Sequence, residues 1–218
     1  MQDFMKVTGM VIGAFLQGEY DRRIVLLTRE QGKITAFVKG ARRQGSRFTA
    51  STDLFVYGEF DLYVGRTSYN VQDVRPSNYF EFLRTDMNAA YYAMYFTEVC
   101  DYYAHEGNDE SMLLLNLYRA FQGLKSEKLK NSFIKPVFEI KTFSIEGELI
   151  PPDRLGFNDT HLLNAVNYIC ASSIEKLYSF SLTDDDLAGL TALANRERKA
   201  LIDKHLNSLD MLDVIAQQ

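Results

Sequence analysis

The stretch "FVYGEFDLYVGRTSYNVQDV", from Phe55 to Val74, decides the fold of the first part of this chain. In its first half the apolar side chains Phe60, Leu62 and Val64 alternate with Glu59, Asp61 and Tyr63. In its second half Tyr69 and Val71 alternate with Ser68, Asn70 and Gln72. A period of two predicts β-strands with one buried and one wetted face. We therefore expect two strands joined by the short turn "GRTS".

Three further segments of the same kind precede this stretch. They are "VTGMVIGAF" (7–15), "RIVLLT" (23–28) and "ITAFVKG" (34–40), rich in β-branched and aromatic residues and separated by short turn sequences. Runs of this composition predict β-strands. Five antiparallel strands in this length close most naturally into a small barrel of the OB type.

The pattern changes after "RPSN", Arg75 to Asn78. The residue before a proline is pushed out of the helical region, and serine and asparagine favour turns and caps, so we expect the strands to end here. Beyond this point "DMNAAYYAMYFTEVCDYYA" (86–104) is apolar on nearly every side, which indicates a helix packed on several faces. The sequence predicts an α+β protein with an OB-type barrel domain at 1–78 and an all-α domain at 79–218.

Charge is unevenly distributed along the 218 residues, whose net charge is -5. Residues 1–80 carry eleven Lys and Arg against eight Asp and Glu, whereas the remainder carries 13 against 21. This asymmetry favours an anion-binding first part and an acidic second part. Cys100 and Cys170 lie seventy positions apart, which argues for reduced thiols in the cell interior. Without a signal peptide or a membrane-length apolar run, we expect a soluble, cytoplasmic protein with no membrane contact.

No constellation of catalytic residues stands out in the sequence. There is no phosphate-binding GxxxxGK[ST] loop, no GxGxxG after a strand and no GxSxG elbow, and the three histidines are scattered. The acidic run Asp184 to Asp186 follows Thr183, and we interpret it as the capped first turn of a helix rather than as a metal site. The sequence predicts a protein that is not an enzyme and needs no cofactor.

The segment Gln31 to Ala50 contains no acidic residue and concentrates positive charge. Its cations are Lys33, Lys39, Arg42, Arg43 and Arg47. Guanidinium groups suit phosphate oxygens and stack on bases, while Gly40 and Gly45 allow tight turns or close approach to a phosphate. The nearby aromatics Phe37, Phe48, Phe55 and Tyr57 either fill the barrel or stack on bases. We expect this segment to bind a polyanion, above all single-stranded nucleic acid.

The run "GEYDRRIVLLTREQGKITAFVKGARRQGSRF", Gly18 to Phe48, resembles the signature of the bacterial RecO family. The matching elements are the Tyr20-Asp21 pair, Leu27 to Glu30, Gly32-Lys33, Lys39 to Arg43 and Ser46 to Phe48. A weaker resemblance extends through the apolar helices to "SIEKLYSFSL" (173–182), so that it covers nearly the whole chain in matching order.

The resemblance implies a non-catalytic mediator of recombinational DNA repair with an OB domain and a helical domain. Such a protein binds single- and double-stranded DNA, anneals complementary strands and works with RecR to help RecA replace single-strand-binding protein, which docks on the helical domain. By the same resemblance it is cytoplasmic and associates with the nucleoid when active.

The resemblance also assigns roles to residues of the basic segment. Lys39, Arg42, Arg43 and Arg47 carry over as phosphate contacts, with Lys33, Arg22 and Arg23 as weaker candidates and Phe48 as an aromatic neighbour. Glu19 and Asp21 are alternative partners for Arg22 and Arg23. A second reading is a non-catalytic adaptor whose OB domain binds an acidic partner protein instead of DNA.

One departure from the family pattern concerns zinc. Many RecO proteins carry a four-cysteine zinc ribbon after the helix that here reads "FEIKTFSIEGELIPPD" (138–153), but the following "RLGFNDTH", Arg154 to His161, has no cysteine. We expect no zinc site in this chain.

Overall fold

A computed structural model describes residues 3–66, 68–149 and 160–215. The strands are β1 (Asp3–Gln17), β2 (Asp21–Thr28), β3 (Gly32–Val38), β4 (Tyr57–Val64) and β5 (Tyr69–Asn78). The α-helices are α1 (Phe48–Ser51), α2 (Met87–Tyr103), α3 (Ser111–Leu124), α4 (Asn131–Ile145), α5 (Thr160–Ala171), α6 (Asp184–Leu201) and α7 (Asn207–Ile215). The predicted α+β class is confirmed.

The chain divides into two compact units. The barrel unit comprises Met1–Thr85 and Thr97–Leu114, and the helical unit comprises Asp86–Phe96 and Leu115–Gln218. The division into domains after Asn78 that the sequence indicates stays a prediction. No helix in the described ranges is long and apolar enough to cross a bilayer.

The five strands close on themselves in the order β1, β2, β3, β5, β4. β1 is long because it has two partners: residues 9–17 pair with β2, and residues 3–10 pair with β4. The pairing of β3 with β5 is parallel and is limited to Ala36 with Tyr69 and Phe37 with Asn70. The other four pairings are antiparallel.

The inner face of the barrel follows the predicted alternation. Phe60 and Leu62 of β4 are fully buried, whereas Glu59, Asp61 and Tyr63 are only partly buried. The fully or almost fully buried side chains from all five strands and the adjoining loops form one core: Val7, Val11, Ile24, Leu26, Ile34, Ala36, Val38, Ala41, Val56, Phe60, Leu62 and Val71. Burial of these apolar side chains is the main favourable contribution to the stability of the barrel.

β5 continues past the point where the sequence predicts its end. The expectation that Arg75 to Asn78 breaks the strand is wrong, because β5 runs to Asn78 and pairs with β4 over this segment. Pro76 lies opposite Gly58, where the register shifts between Tyr57 and Gly58. A proline has no N–H to donate to a ladder, and an irregularity of this kind is where a strand tolerates one.

The helical unit has its own apolar core around α4, α5 and α6. It includes Phe133, Val137, Ile140, Leu162, Val166, Ile169, Leu177, Leu190 and Leu193. α6 begins as predicted: Thr183 is the N-cap, and its Oγ1 accepts a hydrogen bond from the Asp186 backbone N–H at 3.1 Å. The three aspartates lie in the first turn, where negative charge complements the helix dipole.

A buried ionic cluster, made of Glu139 and its partners, ties together α2, α4 and α6 within the helical unit. The side chain of Glu139 has 0% exposure. Its carboxylate accepts hydrogen bonds from Tyr95 Oη and from Lys135 Nζ at 3.0 and 3.1 Å, and Arg198 Nε lies 3.6 Å from it. Lys135 Nζ also donates to Asn195 Oδ1 at 3.3 Å. One buried carboxylate therefore contacts two largely buried cations.

Candidate nucleic-acid interface

The basic loop, residues 39–47, connects β3 to α1 and begins in a tight turn. Gly40 has a φ of +64°, a conformation that side chains with a Cβ rarely adopt, and its carbonyl accepts a hydrogen bond from Arg43 N at 3.1 Å. The Gly40 N–H donates to Asp21 Oδ1 at 2.7 Å. The carboxylate of Asp21 is thus occupied by the backbone of the loop rather than by the neighbouring arginines.

The β1–β2 turn supports the basic loop from one side. Arg42 donates from its backbone N–H to the Tyr20 carbonyl at 2.9 Å and from Nη1 to the Glu19 carbonyl at 3.1 Å. The guanidinium of Arg43 lies over the Tyr20 ring, with Cζ 5.5 Å from the ring centroid. These contacts fix the direction of both arginines while they remain exposed.

Lys39, Arg42 and Arg43 carry the positive charge of this surface. All three are exposed, and none has a carboxylate within 4.0 Å among residues 3–66, 68–149 and 160–215. A cation without a nearby acid is available to replace the counterions of a phosphate backbone. These three side chains therefore form a group of exposed cations without a paired carboxylate on the described surface of the barrel unit.

Arg47 and Lys33 differ from these three cations. Arg47 Nη1 lies 3.2 Å from Asp73 Oδ1, Nη2 donates to the Gln72 carbonyl at 2.8 Å, and the guanidinium lies over the Phe48 ring at 4.8 Å. Lys33 Nζ lies 3.2 Å from Asp101 Oδ1. The inference from the acid-free segment that all five cations lack a counter-charge is therefore wrong for these two. Exposed ion pairs contribute only about 0–1 kcal/mol, so that Arg47, with 67% exposure, remains able to exchange Asp73 for phosphate.

Arg22 serves the fold of the barrel unit. Its side chain is 14% exposed, and Nη1 donates to the Thr49 carbonyl at 3.1 Å and to Thr52 Oγ1 at 3.2 Å. Asp53 Oδ1 lies 3.9 Å away. Arg22 thereby joins β2 to α1, and neither Glu19 nor Asp21 is its partner.

Aromatic and cationic side chains form a row on the outer face of the barrel. Phe15 of β1 pairs with Arg23 of β2, and Arg23 pairs with Phe37 of β3. The guanidinium of Arg23 lies 4.3 Å from the centroid of the Phe15 ring, which is 47% exposed. Exposed rings and guanidinium planes are surfaces on which unpaired bases stack. The sequence did not single out Phe15, because residues 9–16 are an unbroken run without polar side chains that shows no alternation.

The aromatics near the basic loop take different positions. Phe55 is buried, whereas Phe48 is half-buried and packs against the barrel core with Arg47 over its ring. Phe37 belongs to the outward row described above. The sequence left open whether these rings fill the barrel or face outward. Phe55 packs in the core, Phe48 does so in part, and Phe37 faces outward.

No group of three or more metal-binding side chains occurs among the residues that the structure describes. The sequence predicts no zinc site in the segment Arg154 to His161, and residues 154–159 of that segment lie outside the described ranges.

Fold and site together define a two-unit α+β protein whose β-barrel presents a cation-rich loop beside an aromatic row. Residues 1–80 match the family model "Recombination protein O N terminal". The chain is similar to proteins of the RecO family.

Curated relatives match over different lengths. The DNA repair protein RecO of Alkaliphilus metalliredigens is 34% identical over 143 residues, which is 66% of this chain and 58% of that protein. The protein of the same name from Acetivibrio thermocellus is 27% identical over 245 aligned positions, covering 98% of both chains. That from Symbiobacterium thermophilum is 39% identical over 95 residues, 44% of this chain and 38% of its own length.

Proposed function

We propose that this protein is a non-catalytic mediator of recombinational DNA repair that binds and anneals single-stranded DNA. With RecR it would assist RecA in loading onto DNA coated with single-strand-binding protein. The observation that carries the proposal is the group Lys39, Arg42 and Arg43. All three side chains are exposed, the two arginines are held by the β1–β2 turn, and no described carboxylate lies within 4.0 Å of the group. Support also comes from the family, whose curated members in the comparisons are named DNA repair protein RecO.

We assign the barrel to the OB type. The support is the closed order of five strands, the parallel contact of β3 with β5, and the helix α1 between β3 and β4. OB barrels bind oligonucleotides on the face of strands 2 and 3 and on the loops between strands 1 and 2 and strands 4 and 5. Here that face carries Arg23 and Phe37, and the first of those loops supports Arg42 and Arg43.

The proposed mechanism makes and breaks no covalent bond. Cations of the basic loop replace the counterions of a DNA strand, which lowers the repulsion between two complementary strands brought to the same surface. We propose Lys39, Arg42, Arg43 and Arg47 as the main phosphate contacts, Arg23 as a stacking cation, and Lys33, Arg22 and Phe48 as secondary members of the site. The cytoplasm and the nucleoid are the compartments where such a substrate is found.

The salt dependence of DNA binding tests this proposal. Binding of a labelled single-stranded oligonucleotide is measured by fluorescence anisotropy across a salt series. The Lys39→Ala, Arg42→Ala, Arg43→Ala variant is expected to bind about 30- to 100-fold more weakly near about 0.1 M salt, since each lost phosphate contact lowers the slope of log affinity against log salt by about 0.7. The slope should therefore become flatter by about 2.

A matched variant removes the same charge elsewhere. Lys125→Ala, Lys176→Ala, Lys199→Ala also lowers the net charge by three, at exposed positions of the helical unit. It is expected to keep the wild-type slope. If both triple variants weaken binding equally, the loop is not the DNA site. If the wild type binds no DNA and instead retains an acidic protein through the loop, the adaptor function replaces the mediator function.

We also propose that the helical unit docks the acidic, phenylalanine-ended tail of single-strand-binding protein. The support is a cavity of about 250 Å³ with Phe133, Phe180 and Leu182 in its wall and Lys128 and Lys130 beside them. Apolar walls suit a terminal phenylalanine ring, and the two ammonium groups suit the carboxylates of the tail.

A labelled peptide of that composition tests this docking site. Lys128→Glu with Lys130→Glu is expected to weaken peptide binding about tenfold or more, because the cavity would then present carboxylates that repel those of the peptide. Lys125→Glu with Lys176→Glu makes the same change in net charge outside the cavity and should weaken binding less than about threefold. Equal losses in the two variants would rule out this cavity as the peptide site.

A further inference from the structure

A second cavity, of about 810 Å³, lies within the barrel unit. Three segments form its wall: the outer face of β3, the β4–β5 turn, and the chain that follows α2. The residues that matter here are Lys33 and Phe37 from β3, Arg66 from the turn, Tyr69 from β5 and Glu106 after α2. Its volume is within the range of about 300–1,000 Å³ in which proteins hold small organic ligands.

The charges around this cavity are arranged unevenly. Lys33 is already paired with Asp101. Arg66 is exposed and has no carboxylate within 4.0 Å in the described part of the chain. It is therefore the cation in the wall that is available for a phosphate group, and a guanidinium binds phosphate oxygens through paired N–H donors.

The acceptor in the wall is the carboxylate of Glu106. Tyr69 Oη donates to Glu106 Oε1 at 2.8 Å, and this hydrogen bond raises the pKa of the Tyr69 hydroxyl. The Tyr69 hydroxyl therefore keeps its proton near neutral pH and donates it to one oxygen of the Glu106 carboxylate. A carboxylate offers about four acceptor positions, so that Glu106 retains capacity for a further N–H donor.

Phe37 belongs both to the wall of this cavity and to the aromatic row on the outer face. A DNA strand that stacks on Phe15 and Arg23 would reach the cavity at the next strand of the sheet. The cavity therefore lies next to the proposed DNA-binding face and not at a separate surface of the unit.

We propose that this cavity receives one unstacked base of a single DNA strand, with Arg66 on its phosphate and Glu106 accepting a hydrogen bond from its exocyclic amino group. Cytosine, adenine and guanine present such an amino group, whereas thymine presents only carbonyl oxygens and one ring N–H. A base within a duplex is stacked and paired and does not enter. The inference deepens the proposed function and rests on it.

Oligonucleotides of cytosine and thymine test the inference, because the two pyrimidines have similar size and stack weakly. Anisotropy titrations of labelled dC and dT strands of equal length are expected to show about five- to tenfold tighter binding of dC, the net size of one ordinary hydrogen bond. In Glu106→Gln the preference should fall below about twofold, since an amide both accepts and donates and serves either base.

Arg66→Ala provides a second, independent variant. It should weaken both single strands, flatten their salt slope by about 0.7 and leave duplex affinity unchanged. Lys6→Ala removes an exposed cation from the β1–β4 side of the same barrel and serves as the matched control. Circular dichroism of each variant checks that the fold is retained.

The outcomes separate this inference from the proposed function. A wild type that binds dC and dT equally, or a preference that survives Glu106→Gln, overturns the base cavity. DNA binding that depends on the basic loop would then still stand. Failure of the wild type to bind any DNA overturns the proposed function and the base cavity together.

Discussion

Glu139→Ala is expected to lower the free energy of unfolding by about 3–5 kcal/mol, because removing one partner of a buried ion pair leaves a charge without compensation. The side chains of Lys135 and Arg198 are only 13% and 12% exposed, and both lie against this carboxylate. The Tyr95 hydroxyl also loses its acceptor. The two largely buried cations and the Tyr95 hydroxyl would then lose the carboxylate that they contact.

Urea denaturation followed by circular dichroism at the helical band measures this loss. Glu127→Ala, a change of the same residue type at an exposed position, is expected to alter the free energy by less than about 0.5 kcal/mol. Glu139→Gln should lie between the two, since its amide oxygen still accepts hydrogen bonds but the negative charge is gone. If Glu139→Ala is as stable as Glu127→Ala, the ionic cluster does not stabilise the helical unit.

Gly32→Ala is the second change for which we expect a large effect, in this case on the barrel unit. Gly32 has a φ of +63°, and a Cβ built there would lie 2.1 Å from the carbonyl oxygen of His105. A left-handed conformation costs a residue with a Cβ roughly 1–2 kcal/mol. Displacing the neighbouring backbone adds roughly 1–3 kcal/mol. The segment after α2 would have to move, and with it Glu106 in the wall of the larger cavity.

Gly18→Ala is the matched control for this clash. Gly18 has a φ of +58°, but a Cβ there would meet no atom within 4 Å. In urea denaturation, both variants should lose the free energy of unfolding that a left-handed alanine costs. Gly32→Ala alone should lose at least about 1 kcal/mol more. The preference for dC over dT should also shrink in Gly32→Ala and not in Gly18→Ala. Equal stability of the two variants would show that the segment after α2 moves aside without cost.

The sequence predicted the parts of this structure that depend on local pattern. The alternation at Phe60 and Leu62 gave the buried face of β4, and the cap at Thr183 gave the start of α6. Pro76 misled the prediction of where β5 ends, because an irregular register opposite Gly58 accommodates it. The rule that a proline ends a strand fails here because the partner strand β4 pairs irregularly at this point.

The candidate site was predictable only in part, for a related reason. Lys39, Arg42 and Arg43 were predicted because they are close together in the sequence, and in the described part of the chain no carboxylate lies within 4.0 Å of them. The counter-charges of Arg47 and Lys33 come from Asp73 and Asp101, which are distant along the chain. Glu106 and Arg66 lie forty positions apart and meet in one cavity wall only through the fold. Tertiary structure, rather than composition, decides which charges are available.

The double pairing of β1 has a consequence for the order in which the barrel folds. Its C-terminal half pairs with β2 across a short turn, where Gln17 and Asp21 are partners only four positions apart. Its N-terminal half pairs with β4, where Asp3 and Val64 are partners across sixty-one positions. Closing a long loop costs more chain entropy than closing a short one, and distant pairings form more slowly. We therefore expect the local hairpins β1–β2, β2–β3 and β4–β5 to form first and the pairing of β1 with β4 to form last.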